Sequence, residues 1–339
     1  MMLKTRLTDL FDLRYPIISA PMAHTSGGVL AASVSTAGGL GTFGGVHPHS
    51  NPIRPDYIET QLSTIRDQTE RPFGVGFITH LIEHYPDNFD MVLDEGVPVV
   101  VLSFSDPRPW LGRIKESGAT AICQVQTMDA AQIAVAEGAD IIAVQGNEAG
   151  GHTGTRNLLP FLSQALDKFP DIPIVAAGGI ASARSLAAVL AAGADGALIG
   201  TAFMVVTEAT EIDASLRDKI LESDGQDTVQ SSVFDILGVH AFNNPKWPKG
   251  IAIRTFRNKF LDQWHGREAE METRLDELTD LYQKECEGGN EDITPFTFGE
   301  SAGFIDRVQS SGDFMDALCK DAELRLSKAG KLASRNRLD

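Results

Sequence analysis

Residues 172–201 read IPIVAAGGIASARSLAAVLAAGADGALIGT. A short apolar run, Ile172–Ala177, meets a Gly-Gly turn at 178–179, and an amphipathic segment follows over Ser182–Ala192. Gly193-Ala-Asp195 then leads into a second apolar run, Gly196–Ile199, which ends at Gly200-Thr201. Continuous runs of Val, Ile, Ala and Gly this short predict strands buried on both faces of a parallel sheet, joined by a helix. The Gly-Ala-Asp step recurs at 138–140, after another amphipathic segment, Asp129–Glu137. It reads as a C-capping glycine followed by entry into the next strand.

The same alternation extends from Tyr15 to Thr201. Ile17–Ala20, Leu40–Phe43, Phe73–Phe77, Val97–Phe104, Ala119–Val125 and Asp140–Val144 complete a set of eight apolar runs. Eight strand–helix repeats predict an α/β fold of the (β/α)8 TIM-barrel type, with a doubly wound sheet as the alternative. The barrel is favoured by the Gly-rich turns after the seventh and eighth runs, where barrels grip phosphate. Beyond Phe203 the pattern changes. Residues 208–224 predict a helix, 229–260 hold strand-like runs broken by Asn243-Asn244-Pro245 and Trp247-Pro248, and Gly266–Glu287 is helical and acidic. Between Arg267 and Glu300 acidic residues outnumber basic ones eleven to three, which reads as a solvated helix face. A last helix at about 313–333 is expected to return to the barrel. The expected organisation is therefore a barrel from 1–205 plus 290–339, with a small, mostly helical lid domain from 206–289 inserted after strand eight.

The chain has 339 residues, 42% of them hydrophobic, a normal globular fraction. Its 46 acidic and 29 basic residues leave a net charge of −17, which repels phosphate backbones and anionic lipid. Nucleic-acid and membrane partners are accordingly not expected. Cys123, Cys286 and Cys319 form no CxxC pair and no metal-ligand spacing, consistent with a reducing compartment. MMLKTRLTDLFDLRYP lacks the apolar core of a signal peptide. No apolar stretch approaches the ~20 residues of a membrane helix. The expectation is a soluble, cytoplasmic protein.

The segment richest in chemistry is AVQGNEAGGHTG, residues 143–154, directly after the sixth run. Its glycines at 146, 150, 151 and 154 allow positive φ and close approach of the backbone to a flat ligand. His152 sits in that loop at the end of the barrel where active sites lie, and a group titrating near neutrality suits proton transfer. Gly178-Gly179 and Gly200-Thr201 place backbone N–H groups at the two loops that form an anion site in barrels. No P-loop and no GxGxxG opening a Rossmann unit is present. At the end of strand one, Ala20-Pro21-Met22 combines a fixed backbone with a soft apolar surface suited to a large flat ring.

Together, APM at 20–22, AASVSTAGGLGTFG at 31–44, QGNEAGGHTG at 145–154, AAGGIA at 176–181 and GALIGTAF at 196–203 resemble the nitronate monooxygenase (2-nitropropane dioxygenase) family of FMN-dependent barrels. EAGGH is shared with flavin-dependent enoyl-ACP reductases and NAD(P)H:quinone reductases of the same superfamily. The resemblance implies that Ala20, Pro21 and Met22 lie along the isoalloxazine and that Gln124 stands near its pyrimidine end. It further implies that Gln145, Gly150 and Gly151 contact the cofactor. On the same resemblance Gly178, Gly179 and the turn Leu198, Ile199, Gly200, Thr201 are expected to hold its phosphate, and His152 to take the α-proton of a neutral nitroalkane. Two departures stand out. Phe73-Gly-Val-Gly76 has Gly where many nitronate-oxidising relatives have Asn, and Gln124 in place of Lys removes a charge that stabilises anionic reduced flavin.

The implied activity is FMN-dependent oxidation of alkyl nitronates, and of nitroalkanes, by O2 to a carbonyl compound and nitrite. The alternative is an NAD(P)H-dependent reductase acting on a quinone or an enoyl thioester. Among the other histidines, His24 follows APM and is a candidate for the substrate pocket. His47 and His49 lack a third ligand, so no metal is expected. His80 and His84, spaced i, i+4, read as surface residues. Trp247 and Trp264 are expected to anchor the lid to the barrel or to roof the flavin. Nothing in the residues sets an oligomeric state.

Overall fold

The structure is a computed structural model and describes residues 3–23, 25–45, 56–242 and 244–334. His24, His47 and His49 lie outside the described residues. Eleven strands are found among the described residues: β1 (Ile17–Ser19), β2 (Gly41–Gly44), β3 (Phe73–Ile78), β4 (Val99–Ser103), β5 (Thr120–Val125), β6 (Ile141–Gln145), β7 (Gly151–Thr153), β8 (Ile174–Ala177), β9 (Gly196–Ile199), β10 (Thr228–Ser231) and β11 (Ala252–Phe256).

Eight of them pair in parallel in the order β1-β9-β8-β6-β5-β4-β3-β2. The ring closes between its two ends through a parallel bridge from Ile18 to Leu40. There the Ser19 N–H donates to the Leu40 carbonyl at 3.0 Å and the Leu40 N–H to the Ile17 carbonyl at 2.9 Å. The eight apolar runs therefore form a TIM barrel, with each strand buried on both faces because helices cover the outside and side chains fill the inside. Ile18, Leu40, Val99, Val101, Ile122, Ile141, Ala143, Val175 and Leu198 fill the interior. Leu7 and Phe11 join this cluster from the helix Arg6–Phe11, whose start is capped by the Thr5 side chain. Leu7 lies over Gly196, the first residue of β9, so this helix closes the N-terminal end of the barrel.

The repeated Gly-Ala-Asp step has a cause in each residue. Gly193 takes φ 110° and ends the helix Ala183–Ala192, a left-handed conformation that favours glycine. Asp195 then accepts the Ile174 N–H at 2.9 Å and a two-pronged contact from Arg6 (2.9 and 2.7 Å). Asp140 likewise accepts the Ala121 N–H at 2.8 Å. Each aspartate thus satisfies a backbone donor of the neighbouring strand as its own strand begins.

The C-terminal helix Ser311–Ser334 packs on the helices Ala183–Ala192 and Gly28–Ala37, completing the outer layer. Between β9 and this helix the chain builds a second core from Val233, Phe234, Leu237, Phe260, Leu261, Trp264, Met271, Leu278, Tyr282 and Ile293. Trp264 is 1% exposed within that core, so it holds this segment together rather than anchoring it to the barrel. Its helices lie elsewhere than the sequence implied, and Val233–Phe242 is helical where strand-like runs were expected. The helix expected over 208–224 begins only at Ala214, where Asp213 caps it, and ends at Glu222. β10 and β11 form an antiparallel sheet in the order β10-β11-β7, and β7 carries His152. Among the described residues no helix is long and apolar enough to cross a membrane.

Candidate active site

The C-terminal ends of the barrel strands open into one cavity of about 580 Å³, within the size range of small-ligand sites. Around it the fold gathers Ala20, Pro21, Met22, Gln124, Gln145, Gly150, Gly151, His152, Gly178, Gly179, Leu198, Ile199, Gly200 and Thr201. These are all the residues singled out from the sequence for a site role except His24. Among the described residues no group of three or more His, Cys, Asp or Glu could hold a metal ion.

On one side lie the loops after β8 and β9. Gly178 and Gly179 take φ 102° and 68°, and the carbonyl of Gly146 would sit 3.0 Å from a Cβ at 178. A side chain there is opposed by both backbone strain and contact. The amide N–H groups of Gly178, Gly179, Gly200 and Thr201 have no acceptor among the described residues. Four free donors on adjacent loops make a place for an anion. The Thr201 hydroxyl accepts the Gly299 N–H at 3.1 Å, fastening the returning chain to this side of the cavity.

The floor is set by β1, β3, β5 and β6. A Cβ at Gly76 would lie 2.2 Å from Pro21 Cγ, so the glycine that replaces the expected Asn is what allows Pro21 its place. Gln124 is 8% exposed, lines the cavity, and its amide has no hydrogen-bond partner among the described residues. Gln145 is differently employed. Its Oε1 accepts from Gln126 Nε2 at 2.9 Å and its Nε2 donates to the His152 carbonyl at 3.1 Å, so it braces the strand carrying the histidine.

His152 is the centre of the other wall. Its Nε2 lies 2.7 Å from Asp235 Oδ1, and the indole of Trp247 is stacked on its imidazole. Phe104 meets it edge-on with ring centroids 6.4 Å apart. Phe104 follows β4 at φ 75°, a left-handed conformation that a bulky residue adopts only when its surroundings hold it there. Arg254 of β11, 6% exposed, donates to the Asn147 carbonyl at 2.9 Å and to Asn147 Oδ1 at 2.6 Å. It thereby fixes the start of the loop that leads to His152.

His80 departs from its expected surface position, whereas His84 is exposed. The 3-10 turn Thr79–His84 after β3 directs His80 into the cavity wall, edge-on to Trp247 at 5.0 Å. Burial, with a smaller contribution from His152, pushes its pKa down from 6.5 to about 4. Trp247 stands in the cavity wall. Asp235 and Arg254 were not among the candidates. Asp235 is the single acid in the apolar stretch VFDILGVHAF, and that oddity was a signal; Arg254 in AIRTF offered none.

The sequence profile of nitronate monooxygenases matches residues 4–85 and 78–321. The chain belongs to the nitronate monooxygenase family. It is 28% identical to a "probable nitronate monooxygenase" of Staphylococcus saprophyticus, over 91% of this chain and 95% of that one. It is also 28% identical, over 98% of this chain and 99% of the other, to a 5-hydroxy-7a-methyl-1-oxo-octahydro-1H-indene-4-carboxyl-CoA dehydrogenase of Mycobacterium tuberculosis. Among solved structures, FabK of Thermotoga maritima superposes with a TM-score of 0.82 at 28% identity, covering 98% of this chain and all of FabK. A member of this family is a flavin-dependent oxidoreductase built on a TIM barrel.

Proposed function

We propose that the protein oxidises alkyl nitronates, and nitroalkanes after loss of their α-proton, to a carbonyl compound and nitrite, with FMN as cofactor and O2 as electron acceptor. FMN, when bound, accepts the two electrons of the oxidation and delivers them to oxygen. The residues fit that group. The free N–H groups of Gly178, Gly179, Gly200 and Thr201 suit its phosphate, and the unpartnered amide of Gln124 suits the pyrimidine edge. Ala20, Pro21 and Met22, with Leu198 and Ile199, supply an apolar bed for the ring, and Gly150 and Gly151 line the cavity beside it.

The observation that carries the reading is His152, set on the cavity wall with a carboxylate partner at 2.7 Å. An imidazole so paired takes a proton from carbon and is stabilised once charged. Among the described residues no Lys or Arg lines the cavity. A neutral nitroalkane therefore enters more readily than its anion, and His152 makes the nitronate in place. In this reading residues 206–289 act as a lid over a barrel of 1–205 and 290–339, in a cytoplasmic protein.

A second reading, NAD(P)H-driven reduction of a quinone or an enoyl thioester, is favoured by the cavity's apolar extension past Leu216, Phe234, Phe242 and Tyr282. The whole-chain likeness to FabK and to a CoA-thioester dehydrogenase points the same way. Anaerobic mixing separates the two. Bleaching of the bound flavin by an alkyl nitronate or nitroalkane alone supports the oxidase. Bleaching by NADH or NADPH alone replaces it with the reductase, and bleaching by neither removes both.

A further inference from the structure

The Asp235 carboxylate has two engagements, and they meet on one strand pair. Oδ1 lies 2.7 Å from His152 Nε2, and Oδ2 accepts the Ile253 N–H at 3.2 Å. Ile253 is the residue of β11 paired with His152 of β7. The carboxylate therefore binds the side chain of one residue and the backbone of its cross-strand partner. Its helix, Val233–Phe242, buries Val233, Phe234 and Leu237 in the second core, so the carboxylate stands on a rigid support. The side chains of His152 and Asp235 are 16% and 13% exposed, which leaves water little part in their contact. His152 Nδ1 has no hydrogen-bond partner among the described residues.

We propose that Asp235 is a positioning residue that fixes His152 as the Nε2–H tautomer and leaves the Nδ1 lone pair to take the substrate proton. An ionised carboxylate only accepts hydrogen bonds, and a neutral imidazole offers one donor and one acceptor. Pairing Nε2 with Asp235 therefore assigns the proton to Nε2 and basicity to Nδ1. In the step one proton passes from substrate carbon to Nδ1, and the C–H electron pair stays on the substrate. The imidazolium so formed faces the carboxylate that stabilises it. Because Asp235 lies outside the barrel strands, the base is complete only when the helix Val233–Phe242 and β11 are in place beside β7. The inference rests on His152 as the proton-handling group of the proposed function.

The test is nitrogen NMR of protein carrying 15N-labelled histidine, at a pH above the imidazole titration. The His152 signals are identified by their loss in His152→Gln. The expected wild-type pattern is a protonated Nε2 and an unprotonated Nδ1, a reading that needs no variant of Asp235 to fold. Asp235→Asn is expected to abolish that preference, and Asp235→Glu to recover part of it. A wild-type His152 protonated on Nδ1, or an unchanged pattern in Asp235→Asn, overturns the inference. In the same variant kcat on a neutral nitroalkane is expected to fall about 100-fold or more with KM little altered. A shifted tautomer with unchanged kcat upholds the positioning and instead removes His152 from proton transfer.

Discussion

The imidazole of His152 lies flat on the indole of Trp247, with ring centroids 3.4 Å apart and planes 14° from parallel. The same indole takes Phe104 edge-on at 5.3 Å and His80 edge-on at 5.0 Å. Trp247 therefore does more than cover the cavity: it holds one face of the imidazole against movement while Asp235 holds its edge.

Trp247→Ala removes that face. Aromatic pairs of this kind contribute about 0.5–1.5 kcal/mol, so the protein is expected to stay folded while kcat falls roughly tenfold. Trp247→Phe should lie between the two. Steady-state kinetics beside a thermal melt would distinguish this from plain packing, for which the melt moves and kcat does not.

Gly76 and Pro21 form a second coupled pair. Gly76→Asn places a Cβ 2.2 Å from Pro21 Cγ, and overpacking of this kind costs about 1–3 kcal/mol. The expected result is a lower thermal midpoint and weaker flavin retention. Adding Pro21→Ala should recover much of both. A double-mutant cycle with no coupling between the two positions would refute the contact.

The loops after β8 and β9 predict a preference for FMN over riboflavin. Gly179 sits at φ 68°, where an L-residue costs about 1–2 kcal/mol. Gly179→Ala is accordingly expected to weaken FMN binding to the apoprotein about tenfold and to leave weak riboflavin binding unchanged. Flavin fluorescence titration reads both. Equal affinity of the wild type for the two flavins would dispose of the phosphate grip.

His80 predicts an acid-sensitive window. Its Nε2 is buried without a partner among the described residues, and its pKa falls from 6.5 to about 4 in the folded protein. Between those values the unfolded chain binds more protons, so this contribution is fully present above pH 6.5 and is lost as pH falls towards about 4. In His80→Gln the thermal midpoint should fall less than in the wild type across this window. Parallel slopes for the two proteins would count against it.

Much of the fold was legible locally. The eight apolar runs match eight barrel strands to within a residue or two at most ends, because a strand buried on both faces must be apolar throughout. The loops bearing Gly178, Gly179 and Gly200, and the loop that leads to His152, follow strand ends directly, so the barrel's closure carries them to one mouth. Helix starts beyond Phe203 were less legible, since a capping aspartate such as Asp213, not the periodicity, sets where they begin.

What surrounds His152 belongs to tertiary structure. Asp235 is 83 residues distant in the chain, and its role depends on β11 pairing with β7 in one register. Trp247 was visible as a large aromatic but not as the partner of an imidazole, and the inward turn of His80 follows from a six-residue 3-10 segment that carries no periodic signal. Sequence by itself determined the barrel, its family and the histidine at its mouth, because strand burial and glycine turns are written in adjacent residues. Only the folded chain decided which nitrogen of that histidine meets a carboxylate and which face meets an indole, because those contacts are made by segments far apart in sequence that strand pairing and packing bring together.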